Sequence, residues 1–564
     1  MLQFLDFGNN KLSGYIPKEI GRLFNLVELD LGMNNFNGSL PEEIGNMTLL
    51  QRSWLNNNNL SGNIPKEIGR LNNLQILNIA TNAIIGPLPR EIGNLTDLRE
   101  LWLFENKLNG DIPKEIFLLN NLLQVNIGTN RLRGSLPREI GNTTIQDLWL
   151  DTNNLSGPIP STFVNQLGML NLALYSNNLS GVIPPSICNL RSLQILYLSY
   201  NNLEGALPYC LVNLRKSLLI LHLSANKLTG ILPTFTTGCS LQSIDLNGNR
   251  LNGTLPQSLE NCQGLRAIDI GENEIQGVFP FWMETFPQLR ILVLKSNKFV
   301  GTMLMASNTK MSFPMLQVLD VSHNAFVGSL PERYFKNFHG MIDAKENQTD
   351  DGENLFLRYI ELTLTLKGLD QLLRRLLDTF TTIDLSSNGF SGIIPPSVAN
   401  LKSLRYLNLS HNNIEGHIPS SLGGMSILES LDLSSNKLDG EIPGGLTNLT
   451  FLAKLNLSMN NLEGKIPHAG QLSTFDNESY VGNAGLCGFP LTKKCERSDG
   501  KPLPPHLEVE SDRDIEWEYV FAACGYVAGI GIISWLLLFC RSFRYKYFKK
   551  VDDVFEKVFE CCQH

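Results

Sequence analysis

The residues most able to carry out chemistry are spread through this sequence without the spacing that a catalytic site needs. The eight histidines are scattered, and His323 and His411 stand in separate segments. No HExxH zinc motif, phosphate-binding P-loop, GxSxG nucleophile elbow or kinase signature is present. The sequence therefore predicts no catalytic residue, no metal ligand and no cofactor, and we expect a protein that is not an enzyme.

Large aromatic side chains offer a different kind of chemistry, the binding of a ligand. They occupy variable positions of a recurring LxxLxLxxN frame, on the side opposite to the leucines, and they are Trp54, Trp102, Phe104, Trp149, Tyr175, Tyr197 and Tyr200. Exposed aromatic side chains are costly to leave in water and are enriched at binding sites. Stacking between neighbouring strands is the alternative. We expect these residues to bind a ligand without contributing to the leucine core.

The elements that position these side chains are the turns of a tandem repeat. The frame LxxLxLxxNxLxGxIP predicts a short strand with its leucines turned inward, followed by an asparagine that bonds backbone groups of its own and neighbouring turns. One turn cannot bury its own leucines, so stacked turns share a continuous core. Eighteen central asparagines mark the turns: Asn10, Asn34, Asn58, Asn82, Asn106, Asn130, Asn153, Asn177, Asn201, Asn226, Asn249, Asn273, Asn297, Asn324, Asn388, Asn412, Asn436 and Asn460.

The details of the repeat resemble those of plant proteins. The GxIP extension, as in Gly14 to Pro17, resembles the plant-specific class of leucine-rich repeats. The stretches Asn261 to Gly301 and Gly482 to Cys495 resemble the plant receptor-like proteins, which look like receptor kinases without the kinase. The resemblance implies an α/β-type solenoid, a right-handed superhelix with a parallel concave β-sheet, and one transmembrane helix.

The order of segments follows from the repeat and its interruptions. Between Asn324 and Asn388 the spacing is 64 residues, which leaves about 40 beyond one turn. This non-repeat island is interpreted either as a tolerated surface insertion or as a functional element beside the ligand. The predicted segments are 1–327 repeats, 328–380 island, 381–476 four further repeats, 477–500 cysteine-paired cap, 501–519 acidic linker, 520–540 transmembrane helix and 541–564 short cytoplasmic tail.

The apolar run from Val520 to Cys540 is 21 residues long without a charge, enough for a membrane-spanning helix. Acidic residues precede it and a cluster of Arg and Lys follows, which places the solenoid outside the cell and the tail in the cytoplasm. Gly525 and Gly529 form a GxxxG step that favours close helix association. Met1 stands inside a repeat frame without a signal peptide or first cap, which we interpret as a truncated gene model or fragment.

Two cysteine pairs fall one turn apart, Cys188 with Cys210 and Cys239 with Cys262. Each pair could form a disulfide bond between turns, and free buried thiols are the alternative. The family resemblance implies a third bond, Cys487 to Cys495, in the cap. Thirteen N-x-S/T sequons are candidate glycosylation sites: Asn37, Asn46, Asn59, Asn94, Asn142, Asn154, Asn178, Asn252, Asn347, Asn408, Asn448, Asn456 and Asn477.

These observations favour a single-pass receptor-like protein of the plasma membrane. The resemblance implies that it binds an extracellular peptide or protein ligand, such as a microbial elicitor, and signals in plant defence through a partner receptor kinase. The mild net charge of -8 gives no signal for nucleic-acid binding. The alternatives are a developmental peptide co-receptor, an inhibitor of wall-degrading enzymes, which the membrane segment disfavours, and a non-functional fragment.

Overall fold

The computed structural model describes residues 2–162, 168–211, 217–303, 312–343, 362–373, 377 and 379–495. They belong to the first of two compact units, Met1–Cys495, and the second unit, Glu496–His564, lies outside the described residues. The predicted membrane helix, Gly525 and Gly529 lie outside them as well. Among the helices of the described ranges, none is both long enough and apolar enough to cross a membrane.

The LxL segments form one parallel sheet, because each places its leucines toward a shared core and its backbone beside the next turn. Within the described ranges its 18 strands are Phe4–Asp6, Glu28–Asp30, Arg52–Trp54, Ile76–Asn78, Glu100–Trp102, Gln124–Asn126, Asp147–Trp149, Asn171–Ala173, Ile195–Tyr197, Ile220–His222, Ser243–Asp245, Ala267–Asp269, Ile291–Val293, Val318–Asp320, Thr382–Asp384, Tyr406–Asn408, Ser430–Asp432 and Lys454–Asn456. The predicted leucine-rich repeat solenoid is confirmed. We call the side of this sheet that faces away from the core the concave face.

The GxIP extension forms a second layer of parallel strands. It comprises the strands Ser13–Tyr15, Asn35–Ser39, Asn59–Ser61, Ile85–Pro87, Lys107–Asp111, Arg131–Ser135, Asn154–Gly157, Asn178–Val182, Asn202–Ala206, Lys227–Ile231, Arg250–Thr254, Glu274–Gly277, Lys298–Gly301, Ala325–Ser329, Gly389–Gly392, Asn413–His417, Lys437–Glu441, Asn461–Lys465 and Gly485–Cys487. The glycine of each extension has a positive φ, as Gly110 does at 77°, which only glycine adopts without strain.

Short helices complete the turns. Most of them stack on one another, and the last, Asn477–Ser479, lies beside the strand Lys454–Asn456. The 3-10 helices are Lys18–Arg22, Glu42–Asn46, Lys66–Arg70, Arg90–Asn94, Lys114–Leu118, Arg138–Asn142, Pro185–Asn189, Gln257–Asn261, Phe281–Thr285, Pro396–Asn400, Ser420–Gly424, Gly444–Asn448, Gly470–Thr474 and Asn477–Ser479. The α-helices Glu332–Asn337 and His339–Ile342 follow the fourteenth strand of the first sheet. Tyr334 on the first helix and Phe338 between the two helices are buried in the common core, so the first part of the range predicted as an island packs with the repeats.

The central asparagines connect successive turns, as the sequence predicts. The Asn58 amide nitrogen donates to the carbonyl oxygen of Leu31 in the preceding turn at 2.9 Å and to that of Leu55 at 3.3 Å. Its side-chain oxygen accepts from the backbone nitrogen of Phe36 at 2.9 Å. Each such amide therefore satisfies backbone groups that the tight turns would leave unpaired.

Three disulfide bonds are present in the described part of the chain. Cys188 is bonded to Cys210 and Cys239 to Cys262, each across neighbouring turns, with Cα atoms 5.8 and 4.7 Å apart. The bond from Cys487 to Cys495 closes the final turn, with Cα atoms 5.0 Å apart.

Candidate ligand-binding surface

The residue between the two inward leucines of each strand forms one straight file along the concave face. From the third to the ninth strand, the paired residues of this file are Trp54, Asn78, Trp102, Asn126, Trp149, Ala173 and Tyr197. Large aromatic side chains thus alternate with small ones. Because neighbouring strands lie about 4.8 Å apart, the strands that carry successive aromatic residues are about 9.6 Å apart. This separation exceeds the 4.5–7 Å typical of ring pairs.

We call Trp54, Trp102 and Trp149 the aromatic row. All three are half-buried. The Trp102 indole nitrogen donates to the Glu100 carboxylate at 3.1 Å, and the ring meets Phe104 edge to face at 6.4 Å. These contacts orient the Trp102 indole ring. Trp149 packs against the cluster that contains Ala173 and Tyr197, so lateral packing contributes at this end of the row.

Asn78 and Asn126 lie between the tryptophans, on the intervening strands. The side-chain oxygen of each accepts a hydrogen bond from the backbone two residues on, Ala80 N–H at 3.1 Å and Gly128 N–H at 3.1 Å. In each side chain the amide nitrogen is bonded to the same carbon as this oxygen. It therefore points away from the backbone N–H group that the oxygen accepts from. Within the described part of the chain, neither amide nitrogen donates to another group, so both are available to a ligand.

The expectation of a solvated aromatic side chain is wrong for Tyr197, which is only 4% exposed. Its ring stacks on Tyr175 at 4.1 Å and meets His222 edge to face at 5.2 Å. Ile195 and Ile220 pack in the same cluster. Tyr175 and Tyr197 come from successive turns of the repeat. Stacking between neighbouring turns therefore describes these two residues. Replacing Tyr197 is therefore expected to affect stability as well as any binding.

Tyr200 differs from the other aromatic residues, because it lies at the exit of its strand. Its φ is 56°, and the side chain is 40% exposed. It therefore belongs to the rim of the concave face, outside the file that carries the aromatic row.

An antiparallel hairpin covers a later part of the concave face. Its strands, Leu362–Leu366 and Leu369–Leu373, come from the range predicted as the island. Leu362, Leu364 and Leu366 are buried against apolar residues of the first sheet, namely Ala267, Ile291, Val293 and Val318. The island thus contributes directly to the concave face.

Ionic contacts hold the turn of this hairpin. The Lys367 ammonium group lies 3.1 Å from the Glu429 carboxylate and 5.7 Å from the centre of the Tyr406 ring. Glu429 also accepts from Arg405 at 2.7 Å and from the Tyr406 hydroxyl at 2.9 Å. Because Glu429 and Tyr406 come from the turns after the island, the hairpin bridges the two blocks of repeats.

A file of buried carboxyl groups continues beside the hairpin. Burial raises the pKa of Asp269 to about 6, and burial together with the charge of Asp320 raises the pKa of Asp384 to about 7. Burial opposes the charge of Lys295, but the carboxylates of Asp320 and Glu272 outweigh it and hold the Lys295 pKa above its usual value. Lys295 lies 3.2 Å from Glu272. This part of the concave face is polar, but its carboxyl groups are buried, whereas the tryptophans of the aromatic row are partly exposed.

Comparison with known proteins agrees with the repeat geometry. A family model described as "Leucine-rich repeat region" matches residues 1–149, and one described as "Leucine rich repeat" matches residues 239–299 and 378–438. Receptor-like protein 50 of Arabidopsis thaliana is 51% identical over 322 residues. The chain belongs to the plant leucine-rich repeat receptor-like proteins. The match covers 56% of this chain and 36% of the length of that relative.

Solved ectodomains show the same fold as this receptor-like protein. The plant peptide hormone receptor RGFR1, in complex with RGF2, is 32% identical with a TM-score of 0.64, over 83% of this chain and 72% of that one. The Arabidopsis receptor kinase HAESA, in complex with the peptide hormone IDA and the co-receptor SERK1, is 30% identical with a TM-score of 0.64, over 86% and 82%.

Sequence reasoning missed the docked hairpin of this receptor-like protein. The alternating LTLTL of residues 362–366 is a strand signal, and Lys367 and Gly368 both have positive φ, as a tight hairpin turn requires. The alternation predicts a strand. The turn conformation and the place where the hairpin packs are known only from the structure.

The sequons of the receptor-like protein fall into two structural classes. Asn408 and Asn456 lie on the concave face, where their amide nitrogens donate to Asp384 at 3.0 Å and Asp432 at 3.3 Å. Glycan attachment there would break these bonds. Asn347 and the side chain of Asn142 lie outside the described part of the structure. The asparagines with exposed side chains are Asn37, Asn46, Asn59, Asn94, Asn154, Asn178, Asn252, Asn448 and Asn477.

Proposed function

We propose that the protein is a single-pass cell-surface receptor-like protein that binds an extracellular peptide along the aromatic row. The observation that carries the proposal is the alternation of Trp54, Trp102 and Trp149 with small residues, which leaves recesses between large flat side chains. Aromatic anchors beside recesses are typical of binding hot spots. The hairpin strands Leu362–Leu366 and Leu369–Leu373 pack on the concave face further along and do not cover the row.

The proposed signalling step is association with a receptor kinase in the same membrane, and the proposed setting is plant defence. The HAESA complex with a peptide and a co-receptor supports assembly of this kind for an ectodomain of the same fold. The four turns from Asn388 to Asn460 carry small polar side chains on the concave face, which suits a close protein partner. Gly525 and Gly529 supply a second contact within the predicted membrane helix.

Peptide capture tests the proposal. The full chain, displayed on plant cells behind a secretion leader, is incubated with peptides from fungal culture filtrate and from apoplastic fluid, and retained peptides are identified by mass spectrometry. We expect retention that falls at least tenfold in Trp102→Ala with Trp149→Ala and is unchanged in Phe451→Ala, whose ring is exposed elsewhere. If no peptide depends on the row, the proposal is wrong.

A further inference from the structure

We infer that the aromatic row binds a proline-rich segment in the polyproline II conformation. This inference rests on the proposed function and specifies the chemical class of its ligand. The segment would lie along the file from Trp54 to Trp149, with one face against the tryptophans and its backbone beside Asn78 and Asn126. Four strand intervals separate the ends of the row, about 19 Å, which corresponds to about six residues of polyproline II.

The repeat distance of the row selects this conformation. Polyproline II has three residues per turn and rises about 3.1 Å per residue, so it presents the same face every 9.3 Å or so. The tryptophan-bearing strands recur about every 9.6 Å. A β-strand presents the same face about every 6.6 Å and an α-helix about every 5.4 Å, and neither stays in step with three tryptophans.

The groups between the tryptophans fit the backbone of such a ligand. Polyproline II has no internal hydrogen bonds, so its carbonyl oxygens need external donors. The amide nitrogens of Asn78 and Asn126 are donors of this kind, and the oxygen of each amide is already held by the protein backbone. Aromatic-lined grooves are a recurring way to bind polyproline II segments, because the preformed ligand loses little entropy.

The next file carries small residues beside the two amides. The residues two positions after Asn78 and Asn126 are Ala80 and Gly128. Ala80 is buried, and the Asp151 carboxylate of the next turn lies against Gly128. On the tryptophan-bearing strands the same file carries larger side chains, as at Phe104. The recesses are therefore bounded along the row by the tryptophans, and the recess at Asn126 is also bounded by Asp151.

A titration with a defined peptide tests the inference. The full chain in lipid nanodiscs is titrated with a capped nonaproline peptide and with a capped Gly-Ser peptide of equal length, and binding is followed by calorimetry. We expect heat of binding for nonaproline only. Affinity should fall at least tenfold in Trp102→Ala and in Trp149→Ala, fall less in Asn78→Ala with Asn126→Ala, and stay unchanged in Phe451→Ala. Thermal melting of each variant separates lost binding from lost folding.

A substitution that adds aromatic surface separates a periodic groove from a general apolar platform. Asn126→Trp fills the recess between Trp102 and Trp149 and removes one donor. If the recesses hold the ligand, nonaproline binding falls at least tenfold in this variant. If the row is a general platform, the extra ring strengthens binding, and that result would overturn the inference.

The two proposals fail in different ways. If captured extracellular peptides depend on the aromatic row but lack proline, and nonaproline does not bind, the inference is wrong and the proposed function stands. If neither nonaproline nor any extracellular peptide depends on the row, both are wrong.

Discussion

The Lys295 ammonium group donates to the backbone carbonyl oxygen of Thr363 at 3.3 Å, across 68 residues of sequence. Lys295 belongs to the thirteenth turn of the repeat, and Thr363 belongs to the hairpin. The bond therefore fixes part of the island to the concave face, beside the leucines of the hairpin that are buried on that face.

Leu364→Asp is expected to release the hairpin, because it places a charge in the apolar cluster that includes Ile291 and Val318. Amide hydrogen exchange of residues 362–373 should accelerate by at least tenfold, while exchange in the strands of residues 52–173 stays the same. Thr365→Asp is the matched control, since Thr365 is exposed on the same strand. Equal protection in both variants would show that the leucine contacts do not hold the hairpin.

Stability is expected to fall as the pH rises from 5 to 7. The Asp384 pKa is raised to about 7 in the folded protein from an ordinary value of 3.8, so the folded state binds the proton more tightly than the unfolded state does. The resulting stabilisation is fully present below the unfolded pKa and is lost as the pH rises through the folded one. Asp269 acts in the same direction.

Asp384→Asn should remove part of this pH dependence, on the order of 2 kcal/mol in the free energy of unfolding between pH 5 and pH 7. Asp432→Asn is the matched control. Asp432 accepts from the backbone of Ser434 and from Asn456, as Asp384 does from Ser386 and Asn408, but it is partly exposed. Melting temperatures over this pH range provide the measurement. If the melting temperature changes with pH in the same way in the wild type and in Asp384→Asn, then Asp384 is not the source of the pH dependence.

Removal of one central asparagine should destabilise the solenoid. The Asn201 amide nitrogen donates to Leu174 O at 3.0 Å, and its oxygen accepts from Leu179 N at 3.0 Å. In Asn201→Ala these buried groups lose their partner, which costs about 2–3 kcal/mol. Asn202→Ala changes an exposed neighbour and should cost less than about 0.5 kcal/mol. Denaturant unfolding compares the two, and similar losses would show that the amide is not required.

The membrane part of the proposed signalling step has its own test, outside the described residues. Gly525→Leu with Gly529→Leu should leave surface level and ligand binding intact but reduce co-precipitation with the partner kinase, because bulky side chains keep two helices apart. Gly525→Ala with Gly529→Ala is the control that keeps the surface small. Normal kinase association in the leucine variant would remove the membrane helix from the mechanism.

The position of every strand in the first sheet could be predicted from the sequence, because the repeat brings together residues about 24 positions apart. The same local logic predicts the bonds of Asn58 and places Cys239 one turn from Cys262, and the structure decides between a disulfide bond and free thiols. It also predicts that Trp54, Trp102 and Trp149 share a face, since that requires only the frame and the pairing of successive turns.

Only the tertiary structure decided where the hairpin packs, that Tyr197 is buried and that the pKa of Asp384 is raised. Each depends on contacts that the repeat frame does not specify. The hairpin leucines meet Ala267 about 100 positions earlier in the chain, and burial on all sides determines the pKa of Asp384. A repeat encodes the neighbours of each turn along the stack. What covers the exposed face of that stack depends on how the non-repeat segment folds back onto it.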